Sequence, residues 1–451
     1  MKTYVIKTFG CSMNYSDTER VATVLDANGL KEILDENEAD FVVFTTCSVK
    51  QKAEDKVYSL INNIHKNRQK KNLNTKIVLT GCMVKKTSTQ QFIPEEKDPI
   101  LIKIPKIDIV FRIEDIYKIP ELLEIGESKI LDSYLNVTPK YSSSFQAIVP
   151  IQIGCDNYCT FCIVPYTRGR EWSRPMKQIL SEIEELAKKG VKEINLVGQN
   201  VNSYGKDLMD KKRKWDDKEM KWIKGEEKTP FTILLEEINK IEGIERVRFQ
   251  SSNPHDMTDD IIEAICTLPK VMPNLHFALQ SGDNNVLRRM NRKHSYEEYR
   301  NIVQKIRSIN PKFSITTDII VGFCGETDEE FEHTMEGIKE LDIDLIYISQ
   351  YSPRKGTVSG DKMKDDVPQE VKKSRWHKIN NWLKIHVKNK MKNLVGSTQK
   401  VLIGREENGF FEGKNEYNVM VQVEGKNIKV GDIVDVEITD YSTWAVKGKK
   451  L

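Results

Sequence analysis

The stretch Gly154-Cys155-Asp156-Asn157-Tyr158-Cys159-Thr160-Phe161-Cys162 spaces three cysteines as CxxxCxxC. The whole chain holds only eight cysteines in 451 residues, so the cluster is not a by-product of composition. A structural zinc site takes four ligands, commonly two CxxC pairs, and no second pair follows here. Three thiolates can instead hold a [4Fe–4S] cluster, which leaves one iron without a protein ligand. A small molecule can chelate that iron. The competing readings are a zinc site and inert core thiols.

Outward from this loop the chain alternates strand and helix. Strands are predicted at 148–153, 193–197, 246–250, 275–279, 314–321 and 345–349, with helices between them at 176–189, 259–267 and 328–341. Six β/α units predict an incomplete barrel with its active groups at the strand C-terminal ends. The three-cysteine loop follows the first strand, where such a site belongs. Residues 207–228 interrupt the pattern with a run dense in Lys, Asp and Glu that contains Trp215 and Trp222, read as a surface insertion.

Upstream, the first 85 residues read βαβαβ, with strands at 4–8, 40–46 and 76–80 and helices at 16–30 and 50–66. Ser16 is the expected N-cap of the first helix, with Glu19 three residues on. This order favours a parallel sheet with right-handed crossovers. Cys11, Cys47 and Cys82 each come just after one of these strands. Strands of a parallel sheet end at one edge, where ligands bind, so the three thiols are expected to meet there. The alternative is that each is a small core residue.

Downstream, residues 371–400 carry nine Lys or Arg and no acidic residue, and Trp376, Ile379, Leu383 and Val387 recur at helical spacing. This predicts a helix with one face packed inward and a positive face outward, suited to phosphate or simply solvated. Strands at 400–403, 417–423, 432–438 and 444–447 predict a small all-β barrel of the oligonucleotide-binding kind. From 386 to 451 there are eleven basic and nine acidic residues, so any RNA contact there is expected to rest on shape and local lysines.

The overall formal charge is only +3, which by itself does not call for nucleic acid. The first residues lack the apolar stretch of a signal peptide, and no run approaches a membrane span. A cytoplasmic protein with reduced thiols and no membrane partner is the expectation.

The cluster loop is the signature of the radical S-adenosylmethionine superfamily, and the whole chain resembles its methylthiotransferase family. The likeness rests on the cysteine loop, on Thr8-Phe9-Gly10-Cys11-Ser12-Met13-Asn14, on Thr45-Thr46-Cys47-Ser48-Val49 and on Gly81-Cys82-Met83. It implies an α/β protein with an N-terminal parallel-sheet domain (1–125), a partial (β/α)6 radical core (141–385) and a C-terminal all-β TRAM barrel (386–451). It implies two [4Fe–4S] clusters, one on Cys155, Cys159 and Cys162 and one on Cys11, Cys47 and Cys82. Two molecules of S-adenosylmethionine are consumed per product, one giving a methyl group to sulfur and one giving a 5′-deoxyadenosyl radical.

Phe161 matches the family's adenine-side aromatic. Gln280, Ser281 and Asp318 stand where main chain or side chains touch S-adenosylmethionine. Arg168, Arg170 and Arg174 are candidates for RNA phosphate, the alternative being internal ion pairing. Implied partners are the anticodon stem-loop of tRNA, an electron donor such as flavodoxin or ferredoxin, and a sulfur- or cluster-supplying protein. Val164–Gly169 with Arg170 and Glu171, and the run Leu196-Val197-Gly198-Gln199-Asn200-Val201-Asn202-Ser203-Tyr204, resemble the branch acting on N(6)-dimethylallyladenosine. The other branches act on threonylcarbamoyladenosine or on a ribosomal-protein aspartate. A non-catalytic RNA-binding protein is the remote alternative.

Two departures stand out. Cys324 replaces the proline usual after Gly322-Phe323, and Ser252-Asn253-Pro254-His255 differs from the commoner order. Cys324 and Cys266 are read as core residues.

Overall fold

A computed structural model describes residues 1–47, 51–84, 106–126, 134–209, 228–407 and 409–451. Most of the charged insertion, Trp215 and Trp222 included, and the Ser48-Val49 pair lie outside them.

The N-terminal unit is a five-stranded parallel sheet in the order β2-β1-β3-β4-β5. Its strands are β1 (Thr3–Thr8), β2 (Lys31–Glu32), β3 (Phe41–Thr46), β4 (Lys76–Gly81) and β5 (Ile109–Val110). The apolar runs Phe41-Val42-Val43-Phe44 and Ile77-Val78-Leu79 are buried on both faces, as a covered parallel sheet requires. Helix Ser12–Ala27 packs on one face through Val21 and Leu25. Helix Gln51–Lys71 packs on the other through Val57, Ile61 and Ile64. The register pairs Thr8 with Thr45, and Thr46 with Gly81, so β1, β3 and β4 end level with one another.

The first helix corrects an expectation. It begins at Ser12 with Cys11 as N-cap, four residues before Ser16. Asn14 Oδ1 accepts the Cys11 backbone N–H at 3.2 Å, and the Cys11 carbonyl accepts the N–H of Asn14 at 2.9 Å. Ser16 is buried inside the helix, where its hydroxyl accepts from Arg20. Cysteine is not a favoured cap, so local propensity pointed to Ser16, with Glu19 three residues on.

The central unit is built from β6 (Gln146–Pro150), β9 (Glu193–Val197), β10 (Arg246–Phe249), β11 (Asn274–His276), β12 (Ser314–Val321) and β13 (Leu345–Gln350). A short antiparallel pair, β7 (Gln152–Ile153) with β8 (Trp172–Ser173), lies beside the first strand. The ladders β6-β9-β10 and β11-β12-β13 are parallel, and single bridges Val247↔Val271 and Ser252↔Phe277 join them. Among the described residues no ladder joins β6 to β13, so the six-stranded barrel is incomplete. Helices Met176–Lys188, Pro230–Lys240, Asp259–Thr267, Tyr296–Ile309 and Asp328–Glu340 cover its outside.

The C-terminal strands β14 (Thr398–Glu407), β15 (Phe410–Asn415), β16 (Met420–Glu424), β17 (Ile433–Tyr441) and β18 (Ala445–Lys450) close a barrel in the order β14-β15-β16-β18-β17. Strand β15 was not expected, because Glu412, Gly413 and Lys414 read locally as a turn.

Helix Gln369–Lys392 leads into this barrel without a break, so the boundary expected at 385/386 falls inside one helix. It buries Ile379, Leu383, Val387 and Met391 in a core continuous with both the central unit and the C-terminal barrel. Its positive face is narrower than its composition suggested. Lys372 is buried against Asp365, and Arg375 is buried between Glu326 (2.7 Å) and Asp328 (2.7 Å). Lys373, Lys384, Lys388 and Lys392 remain exposed.

Two buried arginines on β10 fix the C-terminal barrel in place. Arg248 pairs with Glu193 at 3.0 Å and donates to the carbonyls of Asn415 (2.7 Å) and Glu416 (3.1 Å). Arg246 donates to the carbonyls of Lys414 (2.9 Å) and Lys400 (3.0 Å). Arg248→Ala leaves Glu193 as an unpaired buried charge, a change worth roughly 3–5 kcal/mol. The expected result is a lower thermal midpoint, with the C-terminal barrel released first in limited proteolysis. An unchanged midpoint and digestion pattern would show that Arg248 does not hold the barrel in place.

Candidate active site

The CxxxCxxC loop leaves the first barrel strands at Gly154, whose φ is +78°. A side chain there would run into the Arg170 carbonyl, so glycine is what lets the chain turn back on itself. Gly154 N–H donates to Gln199 Oε1 at 2.6 Å, and Cys155 N–H to the Gly169 carbonyl at 3.2 Å. Thr160 is tied through N–H and hydroxyl to the carbonyls of Met290 and Arg289, both at 3.0 Å. Cys159 Sγ accepts a hydrogen bond from Arg292 Nη1 at 3.3 Å.

The loop is thus held from both flanks, with its thiols close enough to act on one another. Burial pushes the Cys155 and Cys162 thiols up to about 12, and the neighbouring cysteine sulfurs add to the rise. Thiols in such surroundings ionise at neutral pH only against a strongly electrophilic partner such as a metal centre.

The second set of cysteines follows the level strand ends. Cys47 and Cys82 follow the paired residues Thr46 and Gly81, and Cys82 N–H donates to the Thr46 carbonyl at 2.7 Å. Gly10, at φ +147°, lies so close to Cys47 that an added Cβ would stand 2.7 Å from the Cys47 Cβ. Cys11 exposes part of its surface, yet its thiol is pushed above the ordinary value by burial and by Cys82. In each set at least two sulfurs lie close enough to raise one another, and neither set has a fourth cysteine beside it among the described residues. Among the described residues no three His, Cys, Asp or Glu side chains converge as a single-ion site requires.

The arginines divide. Arg168 and Arg174 are buried and ion-paired, to Asp17 at 2.6 Å and to Glu182, so neither presents its guanidinium to RNA. Only Arg170 is exposed, 77% of its side chain, with Asp156 at 2.9 Å.

Phe161 packs edge-on to Phe323, with centroids 6.3 Å apart, in a cluster that includes Cys324. Gln280 has φ +75°, and its Oε1 is buried with no hydrogen-bond partner in the protein. Such an orphaned acceptor suits a ligand's donor. Ser281 is fully buried and bonded to Thr334 Oγ1 (3.2 Å) and the Asp283 N–H (3.2 Å), which shapes the turn. Asp318 faces the barrel interior, with His276 Nε2 at 2.9 Å.

Sequence reading missed several groups because their neighbours are distant in the chain. His276 also meets Thr316 Oγ1 at 3.1 Å and the ring of Tyr347. A polar cavity of about 520 Å³ opens beside the cluster loop, lined by Asn157, Arg170, Glu171, Asn200, His255 and Lys293 among others. Glu171 accepts from Ser203 Oγ at 2.7 Å. Burial, opposed by that bond and reinforced by Asp256, Asp156 and Asp207, pushes its carboxyl up to about 7. Near neutral pH it both donates and accepts protons.

Three family matches tile this architecture. Residues 3–102 match "Uncharacterized protein family UPF0004", residues 149–338 the Radical SAM superfamily, and residues 392–451 the TRAM domain. A protein of Clostridium tetani named tRNA-2-methylthio-N(6)-dimethylallyladenosine synthase is 38% identical over 100% of this chain and 96% of its own length. One of the same name from Neisseria gonorrhoeae is 34% identical over 100% and 99%. A third, from Acetivibrio thermocellus, is 37% identical over 99% and 90%.

The chain belongs to the methylthiotransferase family of radical S-adenosylmethionine enzymes.

As a methylthiotransferase it has its family's three units in order, and no helix among the described residues is long and apolar enough to cross a membrane. The raised thiols give a direct test. In the cluster-free methylthiotransferase at pH 8, Cys155 and Cys162 should alkylate at least ~100-fold more slowly than an exposed cysteine of pKa about 8.5. Timed iodoacetamide labelling with peptide mass spectrometry reads this. Rates matching the exposed standard would mean that the triad is open to water.

Proposed function

We propose that this chain transfers a methylthio group to carbon 2 of N(6)-dimethylallyladenosine beside the anticodon of tRNA. The observation that carries the reading is that two sets of three cysteines follow the C-terminal ends of parallel strands, one set in each unit. Hydrogen bonding supports their proximity, because Arg168, six residues after Cys162, reaches Cys82 of the other set. Full-length relatives bearing the synthase name supply the substrate class.

In this reading Cys155, Cys159 and Cys162 hold one [4Fe–4S] cluster, and Cys11, Cys47 and Cys82 hold a second. When bound, the two clusters and S-adenosylmethionine supply the one-electron and sulfur chemistry that substitution at an unactivated C–H needs. The residues of the chain do the positioning. Gln280 Oε1 and the Phe161 face hold S-adenosylmethionine beside the first set. Asp318 and His276 present a hydrogen-bonded polar pair toward the barrel interior. The substrate base reaches the space between the two sets by leaving its stack, as base-modifying enzymes require.

Arg170, the exposed lysines of helix Gln369–Lys392 and the C-terminal barrel are the RNA-facing groups. The units divide as 1–125, a central unit from 141, and a C-terminal unit that begins where the helix ends at Lys392. A flavodoxin- or ferredoxin-like donor and a sulfur- or cluster-supplying protein complete the cycle, which is placed in the cytoplasm.

Cys155→Ala should abolish reductive cleavage of S-adenosylmethionine, read as 5′-deoxyadenosine by chromatography. Cys82→Ala should keep that cleavage yet yield no 2-methylthio nucleoside in digested tRNA. Product formation by the Cys82 variant would refute the role of the second site. Product on a ribosomal protein instead of tRNA would move the chain to the protein-modifying branch.

A further inference from the structure

The most unusual buried group outside the cysteine sets is the Arg168 guanidinium. Its side chain is only 3% exposed, and it leaves the short helix Val164–Thr167 that follows the radical-core cysteine loop. From there it crosses into the N-terminal unit. Nη2 and Nη1 meet Asp17 Oδ2 and Oδ1 at 2.6 and 3.3 Å, and Nε donates to Cys82 Sγ at 3.3 Å. Asp17 is fully buried and also accepts from Tyr134 OH at 2.6 Å.

A second buried cation, Arg20, stacks over the Tyr134 ring at 5.2 Å. Two of its nitrogens, Nε and Nη2, have no hydrogen-bond partner, and no ion pair for it is seen among the described residues. One carboxylate thus answers two guanidinium charges in a buried network that ends on a cysteine sulfur. Uncompensated buried charge is costly, so the network is arranged for a negative group at the Cys82 end. Three thiolates on a cubane supply such a group, because their charge exceeds that of the iron–sulfur core.

We propose that Arg168 is a positioning residue for the centre held by Cys11, Cys47 and Cys82, raising its reduction potential through the Nε–H bond to Cys82 Sγ. The inference rests on the second-cluster reading above. Reduction moves one electron from a low-potential donor to that centre, and the donor is oxidised. No bond forms or breaks at Arg168, whose charge favours the more negative, reduced state. The other set has its own donor, Arg292 on Cys159.

The test uses the full chain, reconstituted anaerobically with iron and sulfide and titrated potentiometrically under electron paramagnetic resonance. The variant is the near-isosteric Arg168→Gln, which leaves Asp17 to answer the Arg20 charge alone. Arg168→Lys is the second variant, since lysine keeps the charge but cannot span Cys82 and Asp17 together. Titration of a chain with Cys155, Cys159 and Cys162 all changed to Ala assigns the second signal.

The expected result is a reduction equilibrium at least tenfold less favourable at the Cys82 centre, about 59 mV lower for one electron, with the other signal unmoved. The lysine variant should move the same way by less. Both signals unmoved at full iron content, or both displaced equally, would overturn the proposal. An unsubstituted chain that takes up iron for one cluster only would overturn the second-cluster reading itself and the proposal with it.

Discussion

Buried thiols resist ionisation, and the whole molecule is organised around overcoming that resistance at two places. Burial and like neighbours raise Cys155, Cys162 and Cys11, so none of them is a thiolate by its own preference. What brings them together is backbone register. Parallel strands end level, and each cysteine sits one to three residues past a strand end or in the turn that follows it. The remaining architecture serves that constraint: two sheets supply two edges, and the helices seal their faces against water.

The electrostatic design follows from the same constraint. Each set has one sulfur that accepts from a guanidinium, Arg168 on Cys82 and Arg292 on Cys159. Both arginines approach from outside the cysteine loops they serve. Arginine suits this task because it stays charged when buried and its planar fork can bond a sulfur and a second acceptor at once. Arg292 does so with the Ala278 carbonyl at 2.9 Å, and Arg168 with Asp17. The price is stability locked into buried ion pairs, which also fasten the N-terminal unit to the barrel.

The C-terminal barrel is docked by the same means. Arg246 and Arg248 lie on a central strand and spend their donors on carbonyls of β14, β15 and the turn beyond. The barrel is therefore held rigidly against the central unit, which fixes the distance between its surface and the cysteine sets. A substrate as large as tRNA therefore meets one fixed surface. The near balance of charge in this unit agrees with recognition by shape more than by bulk attraction.

Much was legible in the chain itself. Strands Glu193–Val197 and Ser314–Val321 and helix Asp259–Thr267 stand where apolar patterning put them, because each buries a regular face. The placing of Cys11, Cys47 and Cys82 just past three parallel strands that end level followed from topology, since such strand ends share an edge whatever the side chains. The start of the first helix, strand β15 and the buried state of Lys372 and Arg375 did not follow, because caps, edge strands and ion pairs depend on partners far along the chain.

The fate of the three arginines shows the division most clearly. Their spacing after the cysteine loop marked them as cations near a site, and nothing local could say which way each would turn. Only the packed interface decided that Arg168 faces Asp17 and Cys82, Arg174 faces Glu182, and Arg170 faces water. Spacing along a chain determines which groups travel together. Desolvation and pairing, which need neighbours from elsewhere in the fold, determine what those groups do.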